Sequence, residues 1–363
     1  MKILCLCQED NHRKMLPAYV RAFRGRGVTF SCVDWSPPFD ASLEELLKRS
    51  PERPDCILHF DSDFPLLPQG LVESEIPNMR FDVDTYAYTR RRMRWASLFD
   101  HVSVCHPRYD ETFRQGGHPG AFLLAHAVRR DFFEKPELQR EFEIGWVGQV
   151  DGAIYGRRQK WLPKLAARFH MNDWKGSYSL EEVAEIYRRS CVVVNIGRDD
   201  FPRDANMRVF EALASGALLI TSLPSELTDL GFKDGVHFAG YRAENEIPIL
   251  VARYLKDEPA RACIANAGRE KCLEEHTYDR RVDQFLDHLR EFGNQKLAPA
   301  RRWSKSRVGL MYVDFFAAHG VPSCAQAQFR RFAGRGFSET MQGATLLAKA
   351  WMKELSLRRG NSG

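Results

Sequence analysis

A chain of 363 residues with 44% hydrophobic and 28% charged side chains is too long for one ordinary core and suits two domains of common size plus a remainder. That balance excludes a disordered chain, and no apolar run approaches the length a bilayer-spanning helix needs. The net charge of +5 is uneven: residues 296–363 hold twelve Lys or Arg against three acids, which gives this tail +9 and leaves −4 for everything before it.

Met1–Gln8 reads as a short strand followed by charges, not as a secretory leader. Nine cysteines, at 5, 7, 32, 56, 105, 191, 263, 272 and 324, are odd in number and scattered, which suits reduced residues of a cytoplasmic protein. Cys5 and Cys7 alternate on one strand face without the two further ligands a zinc site needs.

The first half alternates strand and helix. Lys2–Cys7, Val28–Val33 and Cys56–Phe60 read as strands, with helices over Met15–Arg24 and Leu43–Lys48 between them. The succession predicts a doubly wound, Rossmann-like α/β domain with a parallel sheet, whose ligand side lies at the carboxyl ends of its strands. The polar loops there are Gln8–Lys14 with His12, Asp61–Pro65 and Asp82–Tyr86. None is a glycine-rich dinucleotide loop, so no nicotinamide or flavin cofactor is expected. A helix crowded with Arg90, Arg91, Arg92 and Arg94 follows, then a further strand. Charged residues around Pro136, from Glu134 to Glu141, mark the expected hinge.

A second alternating unit opens with a strand over Phe142–Val147 and a helix over Arg157–Arg168. Gly148 and Gly152 with Arg157 and Arg158 make either a phosphate cradle or a solvated basic helix start. Ser179 and Glu182 form a capping box, and Cys191–Ile196 is a strand after which Asn195–Asp200 opens toward the ligand side. In NMRVFEALASGALLITSLPSEL, Asn206, Arg208 and Glu211 fall at one end of a helix and roughly on one face. Gly216 ends that helix, and Ala217–Thr221 is a buried strand closed by Pro224. Such a helix entry either holds a phosphorylated ligand, with Arg208 on the anion and Glu211 on hydroxyls, or is a cap with a surface ion pair. GVHFAGY is a further strand, and helices follow over Glu246–Lys256, Glu258–Glu275 and Tyr278–Phe292. Helical spacing in VGLMYVDFFAAHGV and ATLLAKAWMKELSL makes the tail helical, packed back on the body or against another chain.

DANMRVFEALASGALLIT resembles the C-terminal signature of the CgeB-like, spore-maturation family of bacterial GT-B nucleotide-sugar glycosyltransferases. HTYDRRVDQFL and the passage Phe122–Ala125 are similar to further stretches of that family, with its proline replaced in the second. The resemblance runs over 81–292 and implies two Rossmann-like domains facing a crevice, with a helical C-terminal extension. It divides the chain into an acceptor domain at 1–138, a nucleotide-sugar domain at 139–293 and a basic extension at 294–363. It also implies that Glu211 contacts the ribose and Arg208 the diphosphate, and it favours the phosphate reading of Gly148, Arg157 and Arg158. Many retaining relatives carry a second Glu eight residues before the first, where this chain has Arg203, so a retaining pattern is not supported.

Transfer of this kind needs a base for the acceptor hydroxyl and neutralisation of the departing diphosphate. Asp84 is the first candidate, since DTY follows a predicted strand and resembles an Asp-Thr-His passage of the family; His12 and His106 are the others. Asp61 with Asp63 and Asp82 with Asp84 form two Asp-x-Asp triplets, but arginines and a helix entry already balance a diphosphate, so no metal is expected. The expected function is a metal-independent glycosyltransferase using a nucleotide-sugar donor, with a glycan, lipid-linked or protein acceptor. The basic tail suggests peripheral association with the inner membrane face. Two alternatives are a sugar-nucleotide epimerase of the same fold and a non-catalytic nucleotide-sugar-binding module that docks on a membrane. No nucleic-acid recognition motif accompanies the basic residues.

Overall fold

The computed structural model describes residues 1–8, 15–33, 38–61, 65–134 and 138–360. The chain divides into two compact units, the first built from Met1–Leu123 with Leu286–Gly363 and the second from Leu124–Phe285.

The first unit alternates β1 (Lys2–Cys5), α1 (Leu16–Arg24), β2 (Thr29–Cys32), α2 (Leu43–Arg49), β3 (Cys56–Phe60), β4 (Asn78–Asp82), α3 (Thr89–Ala96), β5 (His101–Val104), α4 (Pro107–Gln115) and β6 (Ala121–Leu123). Its six strands pair in parallel in the order β2-β1-β3-β4-β5-β6. Every residue of β3, β4 and β5 is buried, as expected where helices cover both faces of a parallel sheet. A capping box at Ser42 and Glu45 starts α2, and Pro17 sits in the first turn of α1, where its missing N–H costs nothing.

The second unit holds α5 (Arg130–Phe133), β7 (Phe142–Gly145), α6 (Gly156–Ala166), α7 (Leu180–Arg188), β8 (Ser190–Val194), α8 (Met207–Ala214), β9 (Leu218–Ser222), α9 (Glu226–Asp229), β10 (Ala239–Tyr241), α10 (Ile247–Lys256) and α11 (Glu258–Glu275), and ends within α12 (Tyr278–Phe292). Its sheet runs β10-β9-β8-β7, all parallel, and a single bridge from Ile144 to Met171 extends it beyond β7. Counting that bridge, the chain reverses its direction of winding between β7 and β8, where a doubly wound sheet binds its ligands.

Two boundaries differ from those expected. Residues 124–134, assigned by sequence to the first domain, pack in the second unit: Val128, Phe132 and Phe133 join the core around α8, Val128 bridges to Thr277, and Arg281 Nε donates to Ala125 O at 2.6 Å. Apolar burial here outweighs the local charge and proline signals around Pro136. The tail, in turn, is part of the first unit. It comprises α13 (Lys305–Ala318), α14 (Pro322–Phe332) and α15 (Phe337–Gly360). Trp95 Nε1 donates to the buried Asp314 carboxylate at 3.1 Å, Tyr312 Oη to Pro68 O at 2.8 Å, and Arg301 Nε to Asp100 Oδ1 at 3.0 Å.

All nine cysteines are free thiols; Cys5, Cys7, Cys56, Cys105 and Cys272 are buried, and Cys263 is exposed. Among the described residues no helix is long and apolar enough to cross a membrane.

His101 on β5 and His288 on α12 meet at 3.0 Å between Nδ1 and Nε2, and the His288 ring stacks on Phe122 with centroids 3.8 Å apart. Burial first, then for His288 the neighbouring His101, pushes both imidazoles down to about 4. A folded-state value below the unfolded one means that the unfolded chain binds more protons in this window. The pair's contribution is therefore complete above about 6.5 and is lost as pH falls toward 4. The thermal midpoint is expected to fall between pH 6.5 and 4.5, and His288→Phe to flatten that slope; equal slopes for the two proteins would remove the pair as its cause.

Candidate nucleotide-sugar site

The second unit gathers most of the residues singled out by sequence at one edge of its sheet. Strand β7 ends at Gly145 and β8 at Val194, so Trp146–Gly148 and Asn195–Ile196 leave the sheet side by side at the winding reversal. Trp146, Arg158, Tyr187, Asn195 and Arg208 enclose a recess there with about 10 Å³ of free volume, room for a single water. The recess is therefore too small to hold a nucleotide.

Asn206 caps α8 with extended backbone, and its side-chain oxygen accepts from Arg208 N at 3.1 Å. The helix then buries Val209, Phe210, Ala212 and Leu213, which fixes Arg208 at the first turn and Glu211, 8% exposed, one turn on. Leu218–Ser222 follows as the fully buried β9. A helix start whose first amides point outward attracts an anion.

Gly148 lies against the same corner. A Cβ there would press on the Trp146 ring at 3.1 Å and stand in ordinary contact with Arg208 Cζ at 3.6 Å, so the backbone at Gly148 runs close beside the guanidinium. Asn195 Nδ2 donates to Thr221 Oγ1 at 2.9 Å, and Asn195 O accepts from Tyr241 Oη at 3.0 Å. Those bonds tie the mouth of β8 to β9 and β10.

The two adjacent arginines of α6 have different fates. Arg157 gives Nε to Asp199 at 3.0 Å and Nη1 to Glu244 at 3.1 Å, and Nη2 reaches the carbonyls of Gly197 and Arg198. Its charge is balanced by two carboxylates and its donors are committed within the protein. Arg158, 2% exposed, points inward, with Nε to Ile196 O and Nη1 to Gln149 O, both at 2.8 Å, and its Cζ 4.6 Å from the Tyr155 ring centroid. Burial first and the Arg208 charge second lower its guanidinium to about 10. Among the described residues neither Arg158 nor Arg208 has a carboxylate ion-pair partner. The two cations repel one another, and Asp204 offsets the effect on Arg158 only in part, which favours an anion beside them.

Tyr187 and Trp146 are lining residues that sequence inspection missed. Tyr187 looks in sequence like an ordinary apolar position of an amphipathic helix. Burial, then the Glu211 charge, push its phenol up, and Arg208 opposes them. That coupling and the recess it shares with Arg208 place it beside the charged side chains of α8.

In the first unit, Asp84 is exposed just past the carboxyl end of β4. His106 caps α4 just past β5 and is buried, with its ring edge-on to Tyr86 at 5.2 Å. Tyr109 touches the other side of the imidazole at 6.2 Å. His12 and Asp63 lie outside the described residues. The remaining members of the Asp-x-Asp triplets are held by arginines: Asp61 by Arg92 at 2.6 Å and Arg80 at 3.3 Å, and Asp82 by the same two at 2.5 and 3.1 Å.

Two parallel-sheet α/β units and a helical C-terminal part make this the GT-B fold of nucleotide-sugar glycosyltransferases. Residues 129–287, nearly the whole second unit, match the model of a family described as glycosyl transferase-like. Anabaena HepE, solved with UDP and glucose, superposes with a TM-score of 0.56 at 12% identity, covering 80% of this chain and 100% of that one. Sucrose-phosphate synthase from Thermosynechococcus elongatus gives 0.57 at 13% identity, with 80% and 99% covered. A glycosyltransferase from Rickettsia africae gives 0.52 at 9% identity, with 80% and 98% covered. No curated protein matches the sequence.

Proposed function

We propose that the protein is a glycosyltransferase whose second unit binds a nucleoside-diphosphate sugar at the corner formed by Gly148, Arg158, Asn195, Asn206, Arg208 and Glu211. The observation that carries this reading is the pair of buried or half-buried guanidiniums without acidic partners beside a capped helix start. A diphosphate would give Arg158 and Arg208 an anionic partner, and Glu211, a carboxylate one helical turn away, suits a vicinal ribose diol. The relatives' complexes with UDP and UDP-glucose make those the first ligands to try.

In the proposed reaction Asp84 accepts the proton of the acceptor hydroxyl, whose oxygen forms the new bond at the anomeric carbon. The bond from that carbon to the diphosphate breaks, and the nucleoside diphosphate leaves with the electron pair, its charge met by Arg158 and Arg208. No metal is required in this scheme, because guanidiniums take that role and because Asp61 and Asp82 are already engaged by Arg80 and Arg92. The acceptor is a glycan, a lipid-linked sugar or a protein side chain.

A thermal-shift screen over uridine, guanosine and adenosine diphosphate sugars, with and without EDTA, tests the donor site. One nucleotide sugar is expected to raise the midpoint with chelator present. Glu211→Ala is expected to weaken that ligand by about 1.5–3 kcal/mol, roughly 10- to 100-fold in Kd by calorimetry. Unchanged affinity would remove Glu211 from the site, and no response to any nucleotide sugar would remove the donor assignment.

A further inference from the structure

The last helix, α15, carries a stripe of uncovered apolar side chains. Phe337, Met341 and Met352 are 86%, 56% and 61% exposed, and they make up three of the seven large hydrophobics exposed anywhere among the described residues. They are not scattered. With the exposed Ala344 and Ala348 between them, the steps along the helix are four, three, four and four residues, which places all five within about 80° of one another at 100° per residue. The opposite face is the one that packs inward: Gly343 lies against Phe329 and Phe332, and Ala350 is buried. The stripe is thus the outer face of a helix whose inner face is already anchored on α14.

Charge around the stripe has one sign. Between 330 and 359 the chain has seven Lys or Arg and two Glu. Arg330, Arg331, Arg335, Lys349 and Lys353 are exposed, whereas Glu339 and Glu354 are half-buried; around the helix Lys349 stands about 60° from Met352 at the edge of the stripe, while Lys353, Glu354 and Glu339 lie about 80° or more beyond its edges. The half-buried Trp351 sits at the edge of the apolar face, and indoles favour the boundary between water and hydrocarbon. An apolar stripe flanked by cations and free of acids fits a surface that is apolar within and anionic at its rim. A second copy of the chain fits less well, since a two-fold pairing would set this segment's excess of seven cations over two acids against itself.

We infer that the outer face of α15 is a docking surface for an anionic lipid bilayer, lying in the headgroup plane with Phe337, Met341 and Met352 dipping toward the acyl chains and Lys349, with the exposed Arg335, on the lipid phosphates. This gives a definite surface to the membrane association suggested by the basic tail, and it does not depend on the transferase reading. The lipid-facing side chains protrude from a helix held by its other face, so they can be exchanged without disturbing the core.

The test is co-sedimentation of the full chain with phosphatidylcholine vesicles with and without 40 mol% phosphatidylglycerol, at roughly 50 and 300 mM salt. The expected result is pelleting with the anionic vesicles at low salt, reduced at high salt and with neutral vesicles. The triple variant Phe337→Ser, Met341→Ser, Met352→Ser and the pair Lys349→Glu, Lys353→Glu are each expected to lose about tenfold or more in partitioning, with an unchanged thermal midpoint confirming that both remain folded. Absence of pelleting, or pelleting that the triple variant leaves unaltered, would overturn the proposal. So would a concentration-dependent dimer in sedimentation velocity that the triple variant abolishes, since the stripe would then face a second copy.

Discussion

Replacing Asp84 with asparagine is expected to depress turnover about 10²- to 10⁴-fold, the usual contribution of a general base, while the affinity for the nucleotide sugar stays the same. The separation follows from the structure: Asp84 stands exposed at the end of β4 in the first unit, whereas the guanidiniums and Glu211 belong to the second. A fall confined to turnover is what removal of a group acting only in the transition state produces. His106→Gln is the companion measurement, because His106 is buried between Tyr86 and Tyr109 and is less accessible to an acceptor. If Asp84→Asn turns over normally and His106→Gln does not, the base is the imidazole. Full activity in both variants would discard both residues.

Arg80→Met should be the most destabilising single change in the first unit. Arg80 is fully buried on β4, with Nε on Asp82 at 3.1 Å, Nη2 on Asp61 at 3.3 Å and Nη1 3.2 Å from His59 Nδ1. Together with Arg92 it balances two carboxylates. Its removal leaves two acids sharing one cation out of water, which costs about 3–5 kcal/mol, enough to lower the thermal midpoint by roughly 6–20 °C for a unit of this size. Urea unfolding measures it directly, and a loss below about 1 kcal/mol would mean that the network is weakly coupled. Arg80→Met combined with Asp82→Leu should recover part of the loss, because the orphaned charge goes with its partner. The network also assigns the acid sensitivity described above. Burial alone would raise the Asp61 carboxyl, but Arg92 and Arg80 hold it well below the usual range. Its contribution is therefore intact above the ordinary carboxyl range and is lost progressively only as pH falls below about 4, so weakening between pH 6.5 and 4.5 belongs to the buried imidazoles.

Local chemistry made the core of the second unit readable from the sequence. Asn206 as a cap, four apolar positions at helical spacing and the apolar run after Gly216 predict a helix and a buried strand, and α8 and β9 fall there within a residue. The capping box at Ser179 was legible for the same reason, since both of its hydrogen bonds are made within four residues. Three features were not legible, and each depends on contacts distant along the chain. Arg157 and Arg158 are neighbours of one residue type, and only the arrival of Asp199 and Glu244 sends one outward to acids while the other turns in toward Ile196. In the Asp-x-Asp triplets, Asp61 and Asp82 are met by Arg80 and Arg92, which reach them from β4 and α3. The tail's helical periodicity was plain, but its seat depends on pairs such as Trp95 with Asp314 and Tyr312 with Pro68, more than two hundred residues apart.

That seat bears on how the polypeptide matures during synthesis. Because the second unit is one uninterrupted stretch, Leu124–Phe285, while the first needs both Met1–Leu123 and Leu286–Gly363, the later-encoded unit can finish folding while the earlier one still waits on the ribosome. Until α13 emerges, Trp95 and Asp100 lack the Asp314 and Arg301 partners that cover them. Nascent chains stalled after Phe292 should therefore present a protease-resistant second unit beside a first unit open to chaperones.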